Sequence, residues 1–365
     1  MDVAQLRDEF PVLRRLAYLN AGTDGPVPSA AVQAARVELE RQEREGRWQA
    51  HFERRAELAA NLRAGYAAAL GCDPGELALT TSTTEGIGIV VDGLEMGPGD
   101  EILTSDEEHP GLLGALQAAR DLRGVTVRST HLSALADEVG PRTRLVACSH
   151  VSWLTGARAP TGLSAVDVPV LLDGAQGVGA VPTDVRALNV DFYAGAGQKW
   201  LCGPDGTGML YVAPEARDRL AATRRGYLSF ESPEAGLDAP LHRDARRYDA
   251  PALPAEALGF ATAALGVLET AGWEAIHHRA RTLAGHLQGA LRERRREVHS
   301  AAESTLVSFA SEDPPGERSA LRRAGIVVRD LPGRNWLRAS VGAWNDEGDV
   351  ERLVAALGSA TSGGV

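Results

Sequence analysis

The 365-residue sequence is short of cysteine, aromatic residues, lysine and long apolar runs. Its three cysteines, Cys72, Cys148 and Cys202, are too few for a disulfide framework and lack the spacing of a metal site, so no metal is expected. No apolar run approaches the roughly 20 residues that a membrane-spanning helix needs. The opening MDVAQLRDEF has acids and no apolar stretch, and is not expected to act as a secretory signal. Basic residues are outnumbered: Lys+Arg is 38 against Asp+Glu 49, a net charge of −11. That balance argues against gripping a phosphate backbone, which needs a basic face. What remains is ordinary globular composition, 44% hydrophobic and 24% charged, which points to a soluble, cytoplasmic protein that binds neither nucleic acid nor membrane.

Short continuous apolar runs alternate with helical spacing through the first two thirds of the chain. The runs are Leu77–Thr80, Glu101–Thr104, Val125–Val127, Arg144–Cys148, Val168–Leu172, Asp191–Ala194 and Met209–Val212. Strands of this kind are buried on both faces, so the pattern predicts an α/β domain with a mostly parallel sheet. Residues 30–70, 83–94 and 111–122 read as helices, and no full helix fits between Gly156 and Pro169. After about residue 213 the rhythm changes. Two long helices over 255–296 break near Ala271-Gly272. Short strands at Thr305–Phe309, Ile326–Val328 and Trp336–Ala339 then alternate with helices at 317–324 and 347–357. This predicts a smaller α+β domain over 251–365, a large domain over 21–250, and an N-terminal segment 1–20 packing with the small one. The tail 361–365 is expected to fray.

Four stretches could carry chemistry, and each follows the carboxyl end of a predicted strand, where α/β sheets bind ligands. The run Gly195-Ala196-Gly197-Gln198-Lys199-Trp200 presents a lysine, a residue the chain scarcely uses, in a glycine-rich loop. Such a lysine is either an ordinary solvated side chain or a Schiff-base amine. Asp173-Gly174-Ala175-Gln176 ends an apolar strand in an acid, serving as a turn residue or as the partner of a pyridinium nitrogen. Thr80-Thr81-Ser82-Thr83-Thr84-Glu85 has a capping box and free hydroxyls that can also hold an anion at a helix N-terminus. His109, before Pro110, is confined to an extended backbone and projects from a strand end. The glycine spacing is not that of a dinucleotide fingerprint.

Together these motifs resemble a fold-type I pyridoxal-phosphate (PLP) enzyme of the aminotransferase class V group. That group holds cysteine desulfurases, selenocysteine lyases, isopenicillin N epimerase-like proteins and cysteine/cystine C–S lyases. The resemblance spans nearly the whole chain, from Tyr18-Leu19-Asn20 through Glu108-His109-Pro110-Gly111, Ser149-His150, Asp173-Gly-Ala-Gln176 and Lys199-Trp-Leu-Cys-Gly-Pro204 to Leu337-Arg338-Ala339-Ser340. The Glu-His-Pro-Gly and Lys-Trp-Leu-Cys-Gly-Pro elements are most similar to the C–S lyases.

The resemblance implies a PLP-binding homodimer with catalytic Lys199, Asp173 and His109. Lys199 would carry the cofactor, Asp173 would pair with its ring nitrogen, and His109 would stack on its face. Thr83 and Thr84 would hold its phosphate, with Gln176 and Gln198 beside it. Arg338, with Arg334 or Arg329 as alternatives, would bind the substrate carboxylate alongside Asn20 and Trp153. The chain departs from related desulfurases at Ala196 and Gln198, which replace Ser and His, at Trp153, which replaces Asn, and at Tyr248-Asp249-Ala250-Pro251-Ala252, where Gly-Thr-Pro is usual. A desulfurase also needs a cysteine on a loop shortly before the arginine strand, and residues 313–337 have none. The expected activity is therefore β-elimination on a cysteine-type amino acid. Transamination, epimerisation, desulfuration and a non-catalytic binding role are the alternatives.

Overall fold

Seven of the apolar runs hydrogen-bond into one sheet in the computed structural model, which describes residue 2 and residues 5–359. Their order across the sheet is Leu77–Thr80, Gly208–Val212, Phe192–Ala196, Val170–Asp173, Thr143–Ser149, Glu101–Ser105 and Thr126–Thr130. All run parallel except Gly208–Val212, which is antiparallel to both its neighbours. Apart from Arg144 in Thr143–Ser149, the inner strands are buried along their length, as helices on both faces require. The edge strand Thr126–Thr130 is partly exposed. Because the parallel strands are in register, with Ser149 opposite Asp173 and Asp173 opposite Ala194, their carboxyl ends open along one line.

The helical reading of residues 30–70 resolves into two helices, Ser29–Glu45 and Gln49–Leu70. The break is Gly46, whose φ of 77° lies in the region that favours glycine. The helix Ala255–Ala271 packs against both. Its Leu258, Ala261 and Leu265 share the core of the large sheet, so the first helix past residue 251 belongs physically with the elements before it. Only a single-turn 3₁₀ segment, Thr161–Ala165, lies between Gly156 and Pro169.

Beyond that helix, Arg329–Asp330, Trp336–Ser340 and Leu306–Ala310 form an antiparallel sheet in that order. Leu283 and Leu287 from Trp273–Glu293, Leu321 from Pro314–Arg323 and Leu353 from Glu347–Ser359 form its core with Val307, Phe309 and Leu337. The strand expected at Ile326–Val328 pairs elsewhere. Ile326–Val327 lies parallel to Ala17–Tyr18, and the N-terminal segment runs on to bridge Asn20 to Ser340. The tail at 361–365 lies outside the described residues.

Candidate active site

The line of strand ends is walled by two helix N-termini. Helix Thr83–Gly93 is capped by Ser82, whose Oγ accepts the Glu85 N–H at 3.1 Å. The Glu85 carboxylate returns not to the cap residue but to Thr81, accepting its N–H at 2.6 Å and its hydroxyl at 2.7 Å. Thr83 is buried and its hydroxyl has no partner, whereas Thr84 is exposed. Helix Pro110–Arg123 begins after His109, whose Nδ1 accepts the Gly111 N–H at 3.0 Å. The two termini nearly touch: a Cβ at Gly111 would lie 2.8 Å from Thr84 Oγ1 and 3.1 Å from His109 Nδ1.

His109 is held neutral. Burial and the charges of Lys199, Arg329 and Arg338 push its pKa down to about 4. Its ring stands edge-on to Trp153, with centroids 5.0 Å apart.

Asp173 ends its strand with the carboxylate buried, accepting one N–H, that of Ala175, at 2.9 Å. Burial raises its pKa, and the positive charge of Lys199 acts against that rise. Lys199 is the only lysine in the sequence. Its ammonium makes no hydrogen bond or ion pair among the described residues, and desolvation lowers its pKa to about 8, against the opposing pull of Asp173. Gln198 beside it has a buried, unpartnered amide oxygen. The Gln176 amide is already engaged, donating to the Gly22 carbonyl at 2.7 Å and accepting the Trp200 indole N–H at 2.9 Å.

Arg338 is fully buried. It donates Nη1 to the Trp153 carbonyl at 2.8 Å, while Nε and Nη2 have no partner. Leaving a buried guanidinium half-satisfied is costly, and its pKa falls to about 9 through desolvation and the nearby Arg329. Of the two alternatives, Arg334 stacks over Trp336 at 5.5 Å, and Arg329 donates to Thr23 Oγ1 at 3.3 Å. Asn20 accepts the Thr23 hydroxyl at 2.9 Å in the same turn.

Two features at the strand ends escaped sequence reasoning. Glu108 is buried and ties neighbouring strands together, accepting the Ser105 hydroxyl at 2.5 Å and the Ser149 hydroxyl at 2.6 Å. His150 and Tyr193, 3.0 Å apart at Nδ1 and Oη, fill the space behind the Asp173–Gln176 turn. A Cβ at Gly174 would strike the Tyr193 ring at 2.1 Å, and one at Gly177 would strike both partners at 2.4 Å. The strand-end position of Glu108, beside an already suspect histidine, was the one signal available.

The groups left over fit PLP: an unpaired amine, a buried carboxylate that accepts a single hydrogen bond, an orphaned threonine hydroxyl at a helix N-terminus and a neutral imidazole. The match to known proteins agrees. The Aminotransferase class-V family model aligns with residues 17–353, so the chain belongs to that family of PLP-dependent enzymes. It is 29% identical to isopenicillin N epimerase of Streptomyces clavuligerus over 94% of both chains. It is 30% identical to a probable cysteine desulfurase of Pseudomonas aeruginosa over 78% of both. Among solved structures, the cystine C–S lyase C-DES in complex with its product cysteine persulfide superposes with a TM-score of 0.91 at 29% identity, covering 95% of this chain and 98% of that one. A C-DES mutant with glycine covalently linked to the PLP cofactor gives 0.92.

Proposed function

We propose that the protein is a PLP-dependent carbon–sulfur lyase that breaks the Cβ–S bond of cysteine, cystine or an S-substituted cysteine. One observation carries the choice of elimination over persulfide chemistry: no thiol is placed to accept sulfur. Cys148 and Cys202 are core residues whose thiols burial raises well above their ordinary pKa. Cys72 is pushed up to about 12 by burial and packs against the far core near Glu76 and Arg186.

In this reading Lys199 would anchor the cofactor covalently, and Asp173 would pair with its ring nitrogen. His109 covers one ring face. Thr83 and Thr84 hold the phosphate, and Gln176 and Gln198 lie alongside. Bound there, PLP supplies an electron sink for charge developing at Cα. The chain's own groups do the rest. Arg338 offers Nε and Nη2 to the substrate carboxylate as a fork and so fixes the Cα–H direction. Once the substrate's amine had taken its place on the cofactor, Lys199 would be a free amine whose lowered pKa makes it a usable base near neutral pH, placed to take the Cα proton. The Cβ–S bond breaks, the sulfur leaves with its electron pair, and the aminoacrylate fragment hydrolyses to pyruvate and ammonia. Asp173 keeps a negative charge buried beside the ring throughout.

We also propose a homodimer. Trp48, Phe52 and Tyr227 are exposed apolar side chains, and Phe52 and Tyr227 line a 520 Å³ cavity with Leu79 and Leu253 that a second subunit would cover. No helix among the described residues is long and apolar enough to cross a membrane, and three unpaired thiols support a cytoplasmic location.

Likeness to isopenicillin N epimerase over nearly the whole chain favours epimerisation as the second reading. An incubation of PLP-loaded protein with cystine, S-substituted cysteines and other amino acids separates the readings. Pyruvate with ammonia means elimination, alanine means desulfuration, other keto acids mean transamination, and the D-enantiomer means epimerisation.

A further inference from the structure

Between Val151 and Arg158, which bridge to each other, the chain makes a tight turn. Ser152 N–H donates to the Ala157 carbonyl at 2.8 Å, and Gly156 N–H donates to the Ser152 carbonyl at 2.9 Å. Three successive carbonyls of this turn accept donors from the C-terminal part of the chain. That of Trp153 accepts Arg338 Nη1 at 2.8 Å, that of Leu154 the Ser308 hydroxyl at 2.5 Å, and that of Thr155 the Ala301 N–H at 2.9 Å. The hydroxyls of the same turn go the other way. Those of Ser152 and Thr155 both donate to a single oxygen, Oε2 of Glu107, the second at 2.5 Å. Each hydroxyl has one proton to give, and each also accepts N–H groups of the turn. Ser152 Oγ takes those of Leu154 and Thr155, and Thr155 Oγ1 takes that of Ala157, all at 3.2 Å. The turn's internal hydrogen bonds therefore end on Glu107.

The mechanism gives Glu107 no part. It follows the large-sheet strand Glu101–Ser105, with its own N–H donating to Ser105 Oγ at 3.2 Å, and it stands two residues before His109. Trp153 is thus held twice from that segment: Glu107 binds the hydroxyls on either side of it, and its ring stands edge-on to His109. The Trp153 carbonyl is in turn the hydrogen-bond partner of the Arg338 guanidinium, whose Nε and Nη2 have none. The direction of those two free donors depends on where this turn stands. A planar fork is exacting in this respect, because both of its bonds to a carboxylate are lost together when it tilts.

We propose that Glu107 is a positioning residue: by holding the Ser152–Thr155 turn from the large-sheet side, it aims Arg338 at the substrate's carboxylate without touching the substrate. Because both hydroxyls converge on one oxygen, the role calls for an acceptor at that place and not for a negative charge. Glu107→Gln retains such an acceptor, and Glu107→Ala does not. The proposal rests on Arg338 receiving the carboxylate, as in the lyase reading.

L-Alanine and ethylamine test it, since they differ only in the carboxylate and neither carries a leaving group. Calorimetry on the PLP-loaded protein should show L-alanine binding about 30-fold tighter than ethylamine. In Glu107→Ala that ratio should fall about tenfold, with ethylamine binding unchanged, whereas Glu107→Gln should stay within about twofold of the parent. Ser152→Ala and Thr155→Val, which leave Glu107 in place, should each lower the ratio about threefold and lower it no further when added to Glu107→Ala. In turnover, KM for S-methylcysteine should rise in Glu107→Ala by the same factor as the ratio falls, with kcat changed less than about twofold. A ratio untouched by Glu107→Ala, by Ser152→Ala and by Thr155→Val overturns the proposal. So does a Glu107→Gln protein as impaired as Glu107→Ala, which would make the charge the operative feature, or a parallel loss of ethylamine binding, which would make Glu107 a general support of the fold. A ratio that follows Glu107 as expected, in protein that yields no pyruvate from any sulfur substrate, upholds the positioning role and defeats the lyase reading instead.

Discussion

The carboxylate of Asp249 receives both terminal nitrogens of Arg63, at 3.0 and 2.7 Å, inside the protein. Asp249 also accepts the Leu79 N–H at 2.9 Å, and Arg63 donates to the Leu77 carbonyl at 2.6 Å. The pair thus pins the Tyr248–Ala252 segment to the sheet strand Leu77–Thr80. Removing one partner leaves the other charge buried. We expect Arg63→Ala to cost about 3–5 kcal/mol of stability, read as a lowered denaturant midpoint. Arg63→Leu combined with Asp249→Leu should lose much less. A single variant as stable as the parent would show the pair to be incidental.

The lone lysine makes the site titratable residue by residue. In cofactor-free protein, labelling of Lys199 by an amine reagent, followed by peptide mass mapping, should be half-maximal near pH 8, below the ordinary 10.5, because desolvation favours the neutral amine. Asp173 opposes that shift by favouring the ammonium. Asp173→Asn should therefore move the midpoint lower still; an unchanged midpoint would mean that the two groups do not sense each other. With PLP bound, the same substitution should slow turnover about 100-fold, on the order of 3 kcal/mol of transition-state stabilisation.

Arg338 should act mainly on binding. Arg338→Lys keeps a charge but loses the planar fork. We expect KM for any amino-acid substrate to rise about 30-fold, with a smaller change in kcat and unaltered visible absorption of the bound cofactor. A normal KM would place the carboxylate elsewhere, with Arg329 the next residue to replace.

If no thiol takes part, a protein with Cys72, Cys148 and Cys202 replaced by Ala or Ser should keep most of its activity and still yield pyruvate. Cys148 lies in the central sheet, so a stability loss of about 1 kcal/mol is expected from shrinking it. Stoichiometric alanine from the parent, lost with Cys202→Ala, would restore the desulfurase reading.

The strand-end logic singled out Lys199, Asp173 and His109 because each sits in a local pattern: an apolar run, then a turn, then a side chain that can react. It located the large sheet for the same reason. Contacts between distant segments left no such trace. Arg63 and Asp249, Ala17 and Ile326, and Asn20 and Ser340 meet only because the chain closes on itself. The local pattern also overstated one symmetry. Thr83 and Thr84 read alike in sequence, yet the helix turns one hydroxyl inward and leaves its neighbour exposed. Gly46 could have divided the 30–70 helix in advance, since a single glycine is tolerated within helices but also ends them.

The strip from Ala17 to Gly25 pairs with Ile326, bridges to Ser340 in the small sheet and donates to Gln198 in the loop that carries Lys199. Any cut that shortens this strip therefore acts within a few residues of Lys199. Protein lacking its first 25 residues would bring none of this lining to an assay. Activity measured on such material would describe a different molecule.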